Sequence, residues 1–389
     1  MIDQLRKDAE NLSRELKDWR RDFHRHPEVG FEERRTHSVL LKFLEGIGLP
    51  VKTAGGTGLV ATLEGKPGGK TVCLRADMDA LPLKEEGEKE YISENPAACH
   101  ACAHDGHMAI LMGVAKLLSQ KKYGFRGKIL FLFQPAEERF PGGAKGMIEE
   151  GAIQGVDAIF GLHLWQPLPT GKIGIVKGAM MAAPDEFSVT VIGKGGHGSM
   201  PQMTIDPILV SSQLVINLQT IVSRNVDPLK SAVISMGTIQ GGTVFNIIPC
   251  EVSLSGTVRT FDPELREFME KRVREVVQGT CQTFGAKGEI KYVRGYPALI
   301  NDASMSDFVR EVARKVLGED CLREIDPIMG GEDFAYYLQC IPGAFLFFGM
   351  GDGMTYPHHH PAFDLDEKSL PLATFFMSSL ALEYLGRSA

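Results

Sequence analysis

Apolar residues fall into three textures along the chain. At the start, Leu5, Leu12, Leu16, Trp19 and Phe23 recur at spacings that place them on one helical face. The spacing predicts a second helix over residues 32–47, with Val39, Leu40, Phe43 and Leu44 as its buried stripe. The pattern then shortens to compact apolar runs at 71–74, 129–133 and 156–160, with a helical stretch at 108–118 between the first two. Runs this short, alternating with helices, predict mainly parallel strands of an α/β sheet.

The third texture spans residues 183–297. Phe187, Val189 and Val191 alternate as a half-buried strand does. A helix is predicted over 207–222, strands over 232–237 and 251–260, a helix over 263–284 and a closing strand over 289–293. Asp262 followed by Pro263 is a helix-start signal, with Asp262 as N-cap. The order β-α-β-β-α-β is the ferredoxin-like unit. The α/β texture resumes with a helix near 307–317 and an apolar run at 344–348. The expected fold class is therefore α/β, a discontinuous domain of residues 1–182 and 298–389 interrupted by an inserted domain at 183–297.

Composition narrows the function. The 389 residues carry 42 Lys+Arg against 49 Asp+Glu, a net charge of −7, without the basic stripe of a nucleic-acid binder. Apolar residues at 43% and charged residues at 23% exclude disorder, collagen-like repeats and coiled coil for the whole chain. No stretch approaches the ~18 apolar residues of a membrane helix, and the charged first segment lacks a signal-peptide apolar region. Seven scattered cysteines do not form a disulfide framework, so a cytoplasmic location is expected.

Three of the apolar runs lead into chemistry. Arg75-Ala76-Asp77-Met78-Asp79 follows the first, Gln134-Pro135-Ala136-Glu137-Glu138 the second, and Gly161-Leu162-His163 the third. Ligands of open α/β sheets bind at the carboxyl ends of the strands, where all three segments belong. The densest cluster is Cys99-His100-Ala101-Cys102-Ala103-His104-Asp105-Gly106-His107, with His358-His359-His360 far downstream. A structural zinc site, a redox Cys99/Cys102 pair and a Cys–His nucleophile are alternatives. A catalytic metal centre accounts for more of the residues. Cys102 and His104, expected on one side of an extended segment, would meet Glu138, His163 and one terminal histidine. Thiolate, imidazole and carboxylate suit Zn²⁺, Co²⁺, Ni²⁺ or Mn²⁺, and five ligands suit two ions about 3.5–4 Å apart. Of two adjacent carboxylates, one would bind metal and the other act as general base on metal-activated water.

The motifs Asp77-Met78-Asp79-Ala80-Leu81-Pro82, Cys102-Ala103-His104-Asp105-Gly106-His107, Gln134-Pro135-Ala136-Glu137-Glu138 and Gly161-Leu162-His163 together resemble the M20 metallopeptidase family. Within it they look like the amidohydrolase subgroup of aminoacylases, hippurate hydrolases and auxin-conjugate hydrolases. The resemblance continues in order through Gly195-Gly196-His197-Gly198, Asn246-Ile247-Ile248-Pro249, Gly256-Thr257-Val258-Arg259-Thr260 and Gly331-Glu332-Asp333-Phe334 to His359-His360-Pro361.

What the resemblance implies is a mixed-sheet metallohydrolase catalytic domain with an inserted lid and dimerisation domain. It implies a binuclear site of Cys102, His104, Glu138, His163 and His359, the last because it lies two residues before the proline. Glu137 would be the catalytic base and Asp79 an acidic support behind the ligands, with Asp105 expected to orient His104. His197 of the lid would reach a partner subunit's site and stabilise the oxyanion, and Asn246 and Arg259 would contact the substrate's carbonyl or carboxylate. The implied reaction is hydrolysis of N-acyl-L-amino acids by a homodimer or higher homo-oligomer. Nucleic-acid and membrane partners are not expected. The rivals are a carboxypeptidase on short or N-blocked peptides and an inactive metal-binding scaffold. Where the family has glycine between the cysteine and histidine ligands, this chain has Ala103, which a positive φ would strain.

Overall fold

The computed structural model describes residues 2–120, 123–351 and 356–387. In chain order the first elements are α1 (Ile2–Asn11), α2 (Ser13–Arg25), α3 (Arg34–Gly46), β1 (Val51–Ala54), β2 (Gly58–Glu64), β3 (Lys66–Asp77), α4 (His104–Ser119), β4 (Arg126–Gln134), α5 (Gly143–Glu149), β5 (Ala158–Trp165), β6 (Ile173–Gly174) and β7 (Gly178–Met181). There follow β8 (Ala183–Ile192), β9 (Gly196–His197), α6 (Pro207–Asn225), β10 (Ala232–Gly241), β11 (Ile247–Ile248), β12 (Glu251–Thr260), α7 (Pro263–Thr283), β13 (Lys287–Arg294), β14 (Leu299–Asn301), α8 (Ala303–Leu317), β15 (Leu322–Arg323), α9 (Ala335–Leu338), β16 (Gly343–Gly349) and α10 (Ser369–Gly386).

The chain divides into two units. The first holds residues 2–180, 300–326 and 333–387 among those described, the second 181–299 and 327–332. Segment 327–332 was expected with the first unit. It belongs with the second because Ala182 N donates to the carbonyls of Ile328 and Gly330.

In the first unit, eight strands form one mixed sheet in the order β1-β2-β4-β3-β5-β16-β6-β15. Its centre, β4-β3-β5-β16, is parallel, while β1 and β2 attach antiparallel at one edge. The helix α4 is buried on almost every side, as is α10 against it. A Cβ on Gly113 would lie 2.7 Å from the Leu16 side chain of α2 and 2.9 Å from the Thr374 side chain of α10, so glycine lets α4 pack closely on both. The apolar face expected over the first segment is split into α1 and α2 at Leu12, and Leu5, Leu12, Leu16 and Phe23 are all buried in one core.

Parallel alignment of β3, β4 and β5 brings Asp77, Gln134 and the His163 region to one edge. The third strand runs through His163 rather than stopping before it.

The second unit has a four-stranded antiparallel sheet in the order β10-β12-β8-β13, with α6 and α7 packed on it. Phe187, Val189 and Val191 face its core as their alternation predicted. Asp206 and Asp262 cap α6 and α7, each carboxylate accepting two backbone N–H groups.

Candidate metal centre

Cys102 and His104 do not lie on an extended segment. Ala103 between them is left-handed, with φ 68° and ψ 14°, and serves as N-cap of α4, so His104 opens a helix. That turn makes the two side chains converge. Its strain of about 1–2 kcal/mol for a non-glycine residue is partly offset by the buried methyl, worth about 0.8 kcal/mol, so alanine costs little here. His359 is also left-handed at φ 65°, as is Ala136 at φ 52°, directly before Glu137. Non-glycine residues held this way concentrate at functional sites.

Among the described residues, five groups of potential ligand atoms lie mutually within 4.8 Å; three hold the expected ligands, Cys102/His104/His163, Cys102/Glu138/His359 and His104/Glu137/Glu138, and two others are Asp77/His104/His107 and Glu137/Glu332/Asp333. Cys102 Sγ is 3.4 Å from His163 Nε2, and His359 Nε2 is 3.1 Å from Glu138 Oε1. The second approach lacks hydrogen-bond geometry, since Glu138 Oε1 is buried without a hydrogen-bond partner. His104 Nε2 is likewise buried and unpartnered.

Hydrogen bonds to the other ring nitrogens assign the tautomers. His104 Nδ1 donates to the Asp79 carbonyl at 2.9 Å and His163 Nδ1 to the Leu164 carbonyl at 2.8 Å. Both Nε2 atoms thus face the site, where a metal ion would take the place of a proton. The unpartnered His104 Nε2 and Glu138 Oε1, converging with the Cys102 thiol, His163 and His359, fit a pair of divalent ions.

The electrostatics agree. Burial opposes charge on His104, yet Asp77 and Asp79 push its pKa up to about 10, a measure of how strongly this point favours a positive charge. Burial and the carboxylate of Glu138 push the Cys102 thiol well up. Burial raises Cys99 as well, to about 12, and all seven cysteines are unbridged.

Asp79 carries out more than general support. Its Oδ1 accepts from Glu137 N and its Oδ2 from Glu138 N, both at 2.9 Å. Asp105 differs from expectation: it does not orient His104. Its carboxylate accepts from Arg20 and His24, each at 2.7 Å, because those two buried residues need an anion.

Sequence reasoning overlooked several participants. His107 bonds Asp77 Oδ1 at 2.6 Å and accepts from Leu164 N at 2.8 Å, while Arg75 donates to Asp77 Oδ2 and to Asp333. Arg20 and His24 were detectable as charged residues one and two turns beyond Leu16 on the apolar stripe of α2.

His197, Asn246 and Arg259 lie in the second unit. His197 pairs with Ile247 in the β9–β11 ribbon, and Gly198 N donates to the Asn246 carbonyl, so His197 and Asn246 are neighbours. Ser199 N donates to His197 Nδ1 at 3.1 Å, which leaves Nε2 as the N–H donor. Arg259 lines a cavity of about 460 Å³ with Ser188, Ser235, Thr257 and Lys291. Burial lowers its pKa, and among the described residues no carboxylate forms an ion pair with it.

A mixed α/β sheet with this donor set at its carboxyl edge defines a metal-dependent amidohydrolase. A family model described as Peptidase family M20/M25/M40 matches residues 73–383, and the chain belongs to that family. It is 49% identical over 284 residues to an N-acyl-L-amino acid amidohydrolase of Geobacillus stearothermophilus, covering 73% of this chain and 77% of that one. It is 38% identical to thermostable carboxypeptidase 1 of Saccharolobus solfataricus, covering 99% of each. The crystal structure of the Bacillus subtilis YXEP protein, described as a dinuclear metal binding peptidase, superposes with a TM-score of 0.84 at 35% identity, covering 97% of this chain and 99% of that one. No helix among the described residues is long and apolar enough to cross a membrane.

Proposed function

We propose that the protein hydrolyses the amide bond of N-acyl-L-amino acids in the cytoplasm. The observation that carries this reading is the set of overlapping ligand triads with Glu137 at their edge. Cys102, His104, Glu138, His163 and His359 would hold two divalent ions, drawn from Zn, Mn, Co or Ni. When bound, such ions polarise a carbonyl and bring the pKa of water down from 15.7 to about 7. Glu137 accepts a proton from water as the water oxygen bonds to the amide carbon. It returns that proton to the nitrogen as the C–N bond breaks. Asp79 keeps Glu137 and Glu138 aimed through their backbone N–H groups.

The second unit is read as a ferredoxin-like lid and dimerisation domain. His197 offers its Nε2–H to the oxyanion, across to a partner subunit, and Asn246 contacts the carbonyl. A homodimer or higher homo-oligomer through this unit is supported by the edge strand β10, where Ile239 is 53% exposed, and by the fully exposed Phe245. Arg259 receives the free carboxylate of the substrate bidentately.

This last role has a direct test. Replacing N-acetyl-methionine by its C-terminal amide should lower kcat/KM by about 10–100-fold, the worth of a charged hydrogen-bonded contact. In Arg259→Met the two substrates should become nearly equal. An unchanged preference in the variant removes Arg259 from the carboxylate site.

Carboxypeptidase action on short or N-blocked peptides is favoured by the 38% identity to a named carboxypeptidase. Comparing kcat/KM for N-acetyl-methionine and hippurate with N-blocked dipeptides decides between the two. The inactive-scaffold reading is set aside by the retention of Glu137 beside Glu138, since holding metal requires only the second.

A further inference from the structure

We propose that Glu33 is a positioning residue for the turn that carries Glu137 and Glu138. The inference rests on the reading of Glu137 as the base. Glu33 is completely buried at the start of α3, yet its carboxylate makes no cap bond to that helix. The α3 N–H groups of Arg35 and Thr36 are taken by Glu28 instead. Glu33 Oε1 accepts from Phe31 N at 3.0 Å and Ala136 N at 2.9 Å, and Oε2 accepts from Thr57 Oγ1 at 2.6 Å. Phe31 and Ala136 are both left-handed, with φ of 68° and 52°.

The consequence lies in the order of the donors. Ala136 N goes to Glu33, Glu137 N to Asp79 Oδ1 and Glu138 N to Asp79 Oδ2, so three successive N–H groups are fixed by two buried carboxylates. Glu33 fixes the strained residue from which the other two project. Gly30 closes the bracket: a Cβ there would stand 3.0 Å from Ala136 Cα and 3.2 Å from Arg139 Cβ. The segment Gly30–Glu33 thus approaches the turn closely, as glycine at 30 permits, and holds it by hydrogen bonds. A 1 Å misplacement of a reacting group is worth about 10²-fold in rate.

The test compares Glu33→Gln, Glu33→Met and Gly30→Ala with wild type and Glu137→Gln, all loaded with excess metal, on N-acetyl-methionine. Glutamine keeps both acceptor contacts to backbone N–H and lets Thr57 Oγ1 accept from the amide. Glu33→Gln should therefore stay within about 3-fold of wild type, while Glu33→Met loses about 10–100-fold in kcat with KM within about 3-fold. Bound metal should remain at the wild-type stoichiometry. If Glu33→Met does not fold, Gly30→Ala carries the test: its Cβ would shift Ala136 by a few tenths of an ångström, and kcat should fall by about 3–10-fold with KM little changed. A carboxylate of purely structural value would lower the melting temperature and leave kcat alone, and that result overturns the proposal. So does a Glu33→Gln variant as impaired as Glu33→Met. If Glu137→Gln itself retains activity, the reading of the base fails, which is distinguishable from failure of the positioning role.

Discussion

Glu137→Gln should lower kcat by about 10²–10⁴-fold, the usual range for a positioned acid–base group, with KM and bound metal little changed. The amide has the same shape as the carboxylate, and the backbone of residue 137 remains held by Asp79 Oδ1. What disappears is the ability to accept a proton at the moment water attacks. The neighbouring Glu138→Gln should behave differently. Glu138 is the carboxylate facing His359 and Cys102, and burial of its charge is overcome by His359 and His104, which hold its pKa below the usual range. Losing that charge should lower metal content first and rate as a consequence, with partial recovery at high metal concentration. Steady-state kinetics alongside metal analysis separates the two variants. Equal metal loss in both would remove the division of labour between the adjacent carboxylates.

The second large effect concerns stability. Arg20 is entirely buried and donates to Asp105 Oδ2 and Asp364 Oδ1, each at 2.7 Å, while His24 Nδ1 lies 2.7 Å from Asp105. Asp105→Ala leaves a buried cation without its main partner and should cost about 3–5 kcal/mol in urea denaturation. Folded Asp105→Ala should still bind metal, because His104 is oriented by the Asp79 carbonyl and not by Asp105.

The same network predicts the acid limb of stability. Burial opposes ionisation of Asp105, but Arg20 and His24 hold its carboxyl far below the usual range, and His24 and Lys89 hold Glu85 at about 2. Carboxylates with depressed folded pKa values contribute fully above their unfolded values of roughly 4. That contribution is lost as pH falls below about 4 toward the folded values. Asp105→Asn should therefore flatten the decline of wild-type stability in this window. A parallel pH curve for the variant contradicts the account.

The elements most legible in the sequence were those whose side chains report their environment locally. Alternation at Phe187, Val189 and Val191 marked a strand, and Asp262-Pro263 marked a helix start, because each signal needs only near neighbours. The strand-end residues Glu137, Glu138 and His163 were legible for a related reason, since acidic residues and histidine after apolar runs are conspicuous. Three features were not. The left-handed Ala103 has no signal in alanine itself; only the glycine that the family carries there hinted at it, and an extended segment was expected where the chain turns into α4. The destination of Asp105 depends on Arg20, which lies 85 positions earlier. Glu33 stands before a helix like any surface glutamate, and only the fold shows that its carboxylate bonds Ala136 N. Long-range contacts of buried charge are set by the fold and leave no local pattern.

The central claim is that hydrolysis depends on ions held by these converging donors. The measurement is release of free amine from N-acetyl-methionine and hippurate by chelator-treated protein, before and after addition of Zn²⁺, Co²⁺ or Mn²⁺, with bound metal quantified. The account predicts loss of activity with the chelator and its return as bound metal approaches two ions per chain. Activity that persists after the ions have been shown to be gone would contradict it.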